Sequence, residues 1–154
     1  MKPLKPLKPL TDGVVTIRPP RDADAAALIA GRDDEFRRFL GEGDSDPRPT
    51  AVIEVDGEVI GWVDFDTDRR WLLAGEVNIG YNVFAAFRGK GYGTRAVGLL
   101  LRHLADDTEF TTATFLIDAA NLKSRAVARR LGCGVPAAFD GNRYYKRPVG
   151  PTSS

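Results

Sequence analysis

Arg88-Gly89-Lys90-Gly91-Tyr92-Gly93-Thr94 is the stretch of this sequence that decides how the rest is read. Upstream of it, Glu76 to Val83 alternates Val77, Ile79, Tyr81 and Val83 with Glu76, Asn78, Gly80 and Asn82. That period of two predicts a half-buried strand. Downstream, Val97, Leu100, Leu101 and Leu104 recur at helical spacing and predict one apolar stripe on a helix over Gly91 to Ala105. Between them, three glycines at alternate positions allow a tight turn and leave no Cβ between backbone and ligand. The first N–H groups of a helix lack partners within it, and the helix dipole adds positive potential there. Such a junction binds phosphate, and Arg88, Lys90 and Arg95 add cationic side chains.

The spacing separates the known phosphate loops. A Walker loop needs glycine five positions before Gly89, where Phe84 stands, and Ser or Thr after the lysine, where Gly91 stands. A dinucleotide fingerprint requires glycine at Thr94 and a position early in the chain. Arg/Gln-x-x-Gly-x-Gly/Ala between strand and helix is met by Arg88, Gly91 and Gly93.

Working outward, the elements alternate in a mixed α+β pattern. Val14 to Ile17 predicts a strand stopped by Pro19-Pro20, and Asp22 or Asp24 can cap a helix ending near Gly31. A short helix is expected from about Asp33 to Leu40. Ala51–Val55 and Val59–Phe65 read as a hairpin joined by Asp56-Gly57. Thr111–Ile117 predicts a strand and Asn121–Leu131 a helix ended by Gly132. A hairpin over Val135–Phe139 and Tyr144–Lys146, turning at Gly141-Asn142, closes the chain. Residues 1–12, with three copies of Lys-Pro-Leu, and residues 149–154 are expected to be flexible tails around one domain over 13–148.

Composition narrows the function classes. The 154 residues carry 22 Lys+Arg against 21 Asp+Glu, a formal charge of +1, which does not point to nucleic acid. No window approaches the ~18 apolar residues of a membrane span. Cys133 is the only cysteine, so neither an intramolecular disulfide nor thiolate-clustered zinc is available. Asp64, Asp66 and Asp68 mimic the start of a calcium loop but lack its glycine and distal glutamate, so no metal is expected. No basic-then-apolar leader follows Met1, and a cytoplasmic protein, monomeric or homodimeric, is expected.

The loop, the Val15-Thr16-Ile17-Arg18-Pro19 opening, the Ile79-Gly80-Tyr81-x-Val83 strand and Asn121-x-x-Ser124 leading to Leu131-Gly132 fall in one order. In that order the sequence resembles the GCN5-related N-acetyltransferase (GNAT) family, and looks closest to its Rim-type branch. The resemblance implies an α+β fold: a mixed, twisted sheet of six or seven strands with helices on both faces and a splayed parallel pair, Glu76–Val83 beside Thr111–Ile117. It implies acetyl-CoA as co-substrate, with Arg88, Gly89, Lys90, Gly91, Tyr92, Gly93 and Thr94 around the diphosphate, Asn82 and Val83 pairing with the pantetheine amides, and Asn121 and Ser124 near the arm and thiol. Read by themselves, Asn121 is also a good helix N-cap and Ser124 an ordinary surface residue.

The implied reaction is direct attack of a neutral amine, on a small molecule or a peptide N-terminus, at the thioester carbonyl. Glu76 is the candidate base. Relatives often carry Glu where this chain has Asn78, Tyr where it has Ala128, and Phe where it has Cys133, which leaves Ser124 or water to protonate the thiolate. Those departures keep open an alternative, a CoA-binding sensor or scaffold. Six acids between Asp33 and Asp46, against Arg37 and Arg38, would favour a cationic amine or simply be a solvated face. Lys123, Arg125, Arg129 and Arg130 would add to the field around the phosphates. Cys133 is expected to be a small buried strand residue, and His103 a partly exposed helix residue. Trp62, Phe65 and Trp71 are expected in the acceptor groove or the core.

Overall fold

The computed structural model describes residues 6–151. In chain order these form β1 (Leu10–Thr11), β2 (Thr16–Arg18), α1 (Asp24–Ala30), α2 (Asp34–Leu40), β3 (Ala51–Val55) and β4 (Glu58–Asp66). There follow β5 (Glu76–Val83), a 3-10 turn (Ala85–Phe87), α3 (Tyr92–Asp107), β6 (Thr112–Asp118), α4 (Leu122–Arg130), β7 (Ala137–Phe139) and β8 (Asn142–Pro148). The strands run in the order β1-β2-β3-β4-β5-β6-β8-β7. They number eight among the described residues, against the six or seven expected. The chain divides into two compact units interleaved in sequence, one made of Pro6–Asp64 and Tyr81–Leu99, the other of Phe65–Gly80 and the described residues from Leu100 onward.

In the first unit the extra strand has a local cause. Asp12 Oδ1 accepts the N–H groups of Val14 and Val15 at 2.9 and 2.8 Å, and Gly13 takes a φ of 94°. This turn folds Leu10–Thr11 back onto Ile17 and Thr16. Leu7 is also buried; residues 1–5 of the expected N-terminal tail lie outside the described residues. The first full strand starts at Thr16, not Val14, because Val15 belongs to that turn. Asp56 and Gly57, at φ 51° and 76°, form the expected two-residue turn between β3 and β4. Val15, Ile17, Val52, Ile53, Ile60 and Val63 are the buried core.

Neither Asp22 nor Asp24 caps α1, whose N-cap is Ala23. The Asp24 carboxylate instead holds the Arg18 guanidinium through bonds of 2.8 and 3.0 Å, and accepts Arg21 N–H at 2.6 Å. Arg18 also donates to Glu54. Two nearly buried charges are stable here because each is paired and hydrogen-bonded. Asp33 caps α2 as expected, accepting Phe36 N–H at 3.0 Å.

In the second unit β5 and β6 are parallel over three pairs, Glu76↔Thr112 to Asn78↔Thr114, and the paired register stops there. β6 pairs antiparallel with β8 over its whole length, Thr112↔Pro148 to Asp118↔Asn142. The closing turn is Asp140-Gly141, both at positive φ, one residue earlier than expected. Val149 is buried and donates its N–H to Thr111 O at 3.0 Å, so the fold continues past residue 148. His103 is buried too, with Nδ1 3.1 Å from Asp107 one turn on, correcting the exposed reading: it lies beside the apolar stripe of Leu100 and Leu104. Cys133 is half-buried in the link after α4, not in a strand.

Gly61 is the tightest point of the first unit: a Cβ there would lie 2.2 Å from Asn82 O, a backbone atom that cannot swing away. Gly61→Ala is therefore expected to destabilise the fold by roughly 1–3 kcal/mol, read as a lower urea midpoint; an unchanged midpoint would refute this close approach.

Candidate active site

The glycine loop closes on the start of α3. Gly89 and Gly91 adopt φ of 77° and 82°, a region costly for other L-residues, and a Cβ at either position would project into open space. Arg95 N–H reaches Gly91 O at 3.2 Å, the opening bond of α3. The N–H groups of Tyr92, Gly93 and Thr94 precede that bond and have no carbonyl within the helix. Thr94 Oγ1 is buried with no hydrogen-bond partner among the described residues. Gly93 packs closely, its would-be Cβ 3.4 Å from the Tyr81 ring and from Val83. Open space beside the loop, N–H groups with no acceptor within the helix, and the positive end of the helix dipole together fit a diphosphate.

At the end of β5, Asn82 and Val83 are buried, and Asn82 Nδ2 has no hydrogen-bond acceptor among the described residues. Arg88 Nε donates to Val83 O at 2.7 Å. Arg88 Nη1 and Nη2 reach the Asp33 carboxylate at 2.6 and 3.1 Å, and Nη1 lies 2.6 Å from Glu35 Oε2. The expected cationic lining at Arg88 is thus paired within the protein. So is part of the expected acidic wall: Asp33 and Glu35 face Arg88, Asp34 faces Arg37, and Asp46 faces Arg48.

The second unit holds the candidate base. Glu76 is 8% exposed, at the first of the three parallel pairs. Its Oε1 accepts Leu73 N–H at 3.0 Å and its Oε2 accepts Lys146 Nζ at 2.8 Å. Burial pushes its pKa up, but the Leu73 N–H and the Lys146 ammonium outweigh burial and hold it below the ordinary value. Tyr144 lies beside the pair. The Lys146 ammonium sits 5.3 Å from the centre of its ring, and its hydroxyl is buried without a well-formed hydrogen bond among the described residues. Desolvation raises the Tyr144 pKa, with the Glu76 charge adding to it. Thr114 bonds Val77 O at 3.1 Å and approaches Asn78 Oδ1 at 3.4 Å.

Sequence reasoning missed Lys146 and Tyr144, because they reach Glu76 only through the β6–β8 register, seventy residues away. Asn121 takes the N-cap role, its Oδ1 accepting Ser124 N–H at 3.2 Å, which leaves its Nδ2 donors for other partners. Arg125 is structural, bonding Tyr145 Oη and Ala119 O at 3.1 Å each and so fastening α4 to β8. Phe65 packs edge-on against Phe110 and Trp71 tilts against Phe139. Desolvation pushes the Cys133 thiol up to about 11, which makes it a poor nucleophile.

Asp33 offers a direct check on the Arg88 geometry. The Arg88 guanidinium and the Phe36 N–H lower its pKa from 3.8 to about 2, against a smaller opposing effect of burial. The stabilisation from this carboxylate is complete above the ordinary value and fades as the pH falls toward 2. An NMR titration is expected to give a midpoint near that value, returning toward the ordinary carboxylate range in Arg88→Gln. An ordinary midpoint in the parent chain would rule the pairing out.

Comparison with known proteins bears on this arrangement. A family model described as an acetyltransferase (GNAT) domain matches residues 15–134. No curated protein matches the sequence. Among solved structures, a Bacillus anthracis acetyltransferase of the GNAT family superposes with a TM-score of 0.77 at 15% identity, covering 92% of this chain and 99% of that one. Mycobacterium smegmatis RimJ, solved with a CoA disulfide, gives 0.74 at 23% identity, over 88% of this chain and 82% of that one. RimL, a ribosomal L7/L12 alpha-N-protein acetyltransferase solved with coenzyme A, gives 0.72 at 18% identity, over 92% and 98%. At such identities the structural likeness is one of fold, whereas the family match extends over most of the sequence. The chain belongs to the GNAT acetyltransferase family: it is an N-acetyltransferase whose acetyl donor is acetyl-CoA.

Proposed function

We propose that this enzyme acetylates the primary amine of a small molecule or of a peptide or protein N-terminus, in the cytoplasm, as a member of the Rim-type branch. The observation that carries the proposal is Glu76: a nearly buried carboxylate kept ionised by Leu73 N–H and Lys146 at the start of the parallel pair. A buried carboxylate with a shifted pKa and a specific charge partner is a candidate for proton transfer. RimL is named for an α-amino acceptor on a protein, which supports the N-terminal reading. Pairing of Asp33, Glu35, Asp34 and Asp46 with arginines removes much of the argument for a cationic acceptor.

In this reading residues 13–148 act as one acetyltransferase domain. The N–H groups of Gly89, Gly91, Tyr92, Gly93 and Thr94 hold the diphosphate, with the Lys90 ammonium near it. Asn82 and Val83 pair with the pantetheine amides, and Asn121 Nδ2 and Ser124 serve the arm and its thiol end. The neutral amine attacks the thioester carbonyl, forming the C–N bond. The nitrogen gives its proton to Glu76, directly or through one water, and the C–S bond breaks. Ser124 or a water returns a proton to the departing thiolate. A carboxylate whose pKa is lowered is deprotonated at neutral pH and so has a vacant site for a proton, although it is a weaker base than one poised near neutrality.

Two substitutions test the two halves. Gly91→Trp places a bulky residue at φ 82° in the open cradle. It is expected to weaken CoA binding by calorimetry at least about tenfold, roughly the loss of one or two charge-assisted hydrogen bonds; unchanged affinity would contradict the loop assignment. Glu76→Gln is expected to lower kcat at neutral pH by about 10²-fold, the scale of a lost general base. The deficit should shrink at high pH, where free amine is plentiful. A pH–rate profile parallel to that of the parent enzyme would reject Glu76 as base.

A further inference from the structure

Every N–H of the Arg88 guanidinium already has a protein acceptor. Nε–H goes to Val83 O at 2.7 Å. The two hydrogens on Nη1 face Asp33 Oδ2 and Glu35 Oε2, each at 2.6 Å. Those on Nη2 face Asp33 Oδ1 at 3.1 Å and Asn82 Oδ1 at 3.4 Å. A guanidinium has five donors, and here none is left for a phosphate oxygen. The fork-on-fork geometry with Asp33 is the arrangement in which Arg and a carboxylate bind most strongly. Asp33 is anchored independently, because the same Oδ1 accepts Phe36 N–H as the N-cap of α2.

We infer that Asp33 and Glu35 are positioning residues for the donor loop, and that Arg88 serves as their strut rather than as a phosphate ligand. The inference rests on the loop reading given above. Held by two carboxylates, Arg88 keeps its Nε–H on the Val83 carbonyl and so sets where β5 ends. Gly89 follows directly, at positive φ, and the donor N–H groups of Gly91 to Thr94 are aimed from that fixed start. The strap also joins the N-terminus of α2 to the loop, so a displacement of α2 reaches the diphosphate site through one side chain.

The alternative role for Arg88 predicts a change of opposite sign. If Arg88 were a phosphate ligand restrained by its carboxylates, removing their charge would free it and tighten CoA binding. If the carboxylates position the loop, removing them weakens binding. Asp33→Asn keeps a good N-cap for α2 but removes the charge and one of the two acceptor oxygens that hold Arg88, so the test is calorimetry of CoA binding to D33N and to D33N/E35Q. About tenfold weaker binding is expected, on the scale of one lost charge-assisted hydrogen-bond network. KM for acetyl-CoA should rise with it, while kcat at saturation stays within about twofold, a split that general loosening of the fold would not give. Arg88→Lys keeps the charge but not the fork, and is expected to lose affinity as far as Arg88→Gln does.

CoA affinity that is unchanged or tighter in D33N/E35Q, or preserved in Arg88→Lys, overturns the inference. A parent enzyme that fails to bind CoA overturns the loop reading itself, and this inference with it.

Discussion

The first turn of α3 starts with backbone N–H groups that have no carbonyl partner within the helix, and the glycine loop before it leaves open space beside its own backbone. Gly89 and Gly91 hold φ near 80°, and the space over them is open. A helix start ordinarily covers such donors with a side chain or gives them to water. Here the sequence supplies glycine where a side-chain cap would stand, which leaves the helix start open to an anion. The proposed diphosphate cradle depends on that one constraint.

Long-range ion pairs supply the remaining order. Arg18 with Asp24 and Glu54, Arg88 with Asp33 and Glu35, and Glu76 with Lys146 tie β2 to α1 and β3, the glycine loop to α2, and β5 to β8, and in each case one partner is largely shielded from water. Isolated pairs of this kind add little net stability, because desolvation offsets the attraction. Their effect is geometric: each leaves one arrangement of its segments in which no charge is stranded. In the first unit the result is a fixed end to β5, and in the second a carboxylate that stays ionised despite burial.

Much of the fold was legible because its signals are local. The alternation of Val77, Ile79, Tyr81 and Val83 and the stripe of Val97, Leu100, Leu101 and Leu104 are periodicities of single elements, and both elements formed close to their expected bounds. The Asp56-Gly57 turn is likewise decided by two residues that tolerate positive φ. Errors arose where a side chain had two local options. Asp24 could cap a helix or bind Arg18, and the buried guanidinium won because stranding it costs more than an open cap. His103 reads as polar and exposed until its neighbours Leu100 and Leu104 fix which side of α3 faces the core.

What the sequence alone determined is therefore the backbone chemistry: which stretches alternate, where glycines permit a left-handed turn, and that a helix begins there with free donors. Those properties depend on residues within one or two turns of each other. Only the tertiary structure decided which charges meet. Lys146 and Tyr144 reach Glu76 through a strand register, and Arg88 finds Asp33 across fifty-five positions of chain. A charge in a sequence has many candidate partners, and burial selects among them only after the sheet and helices are in place.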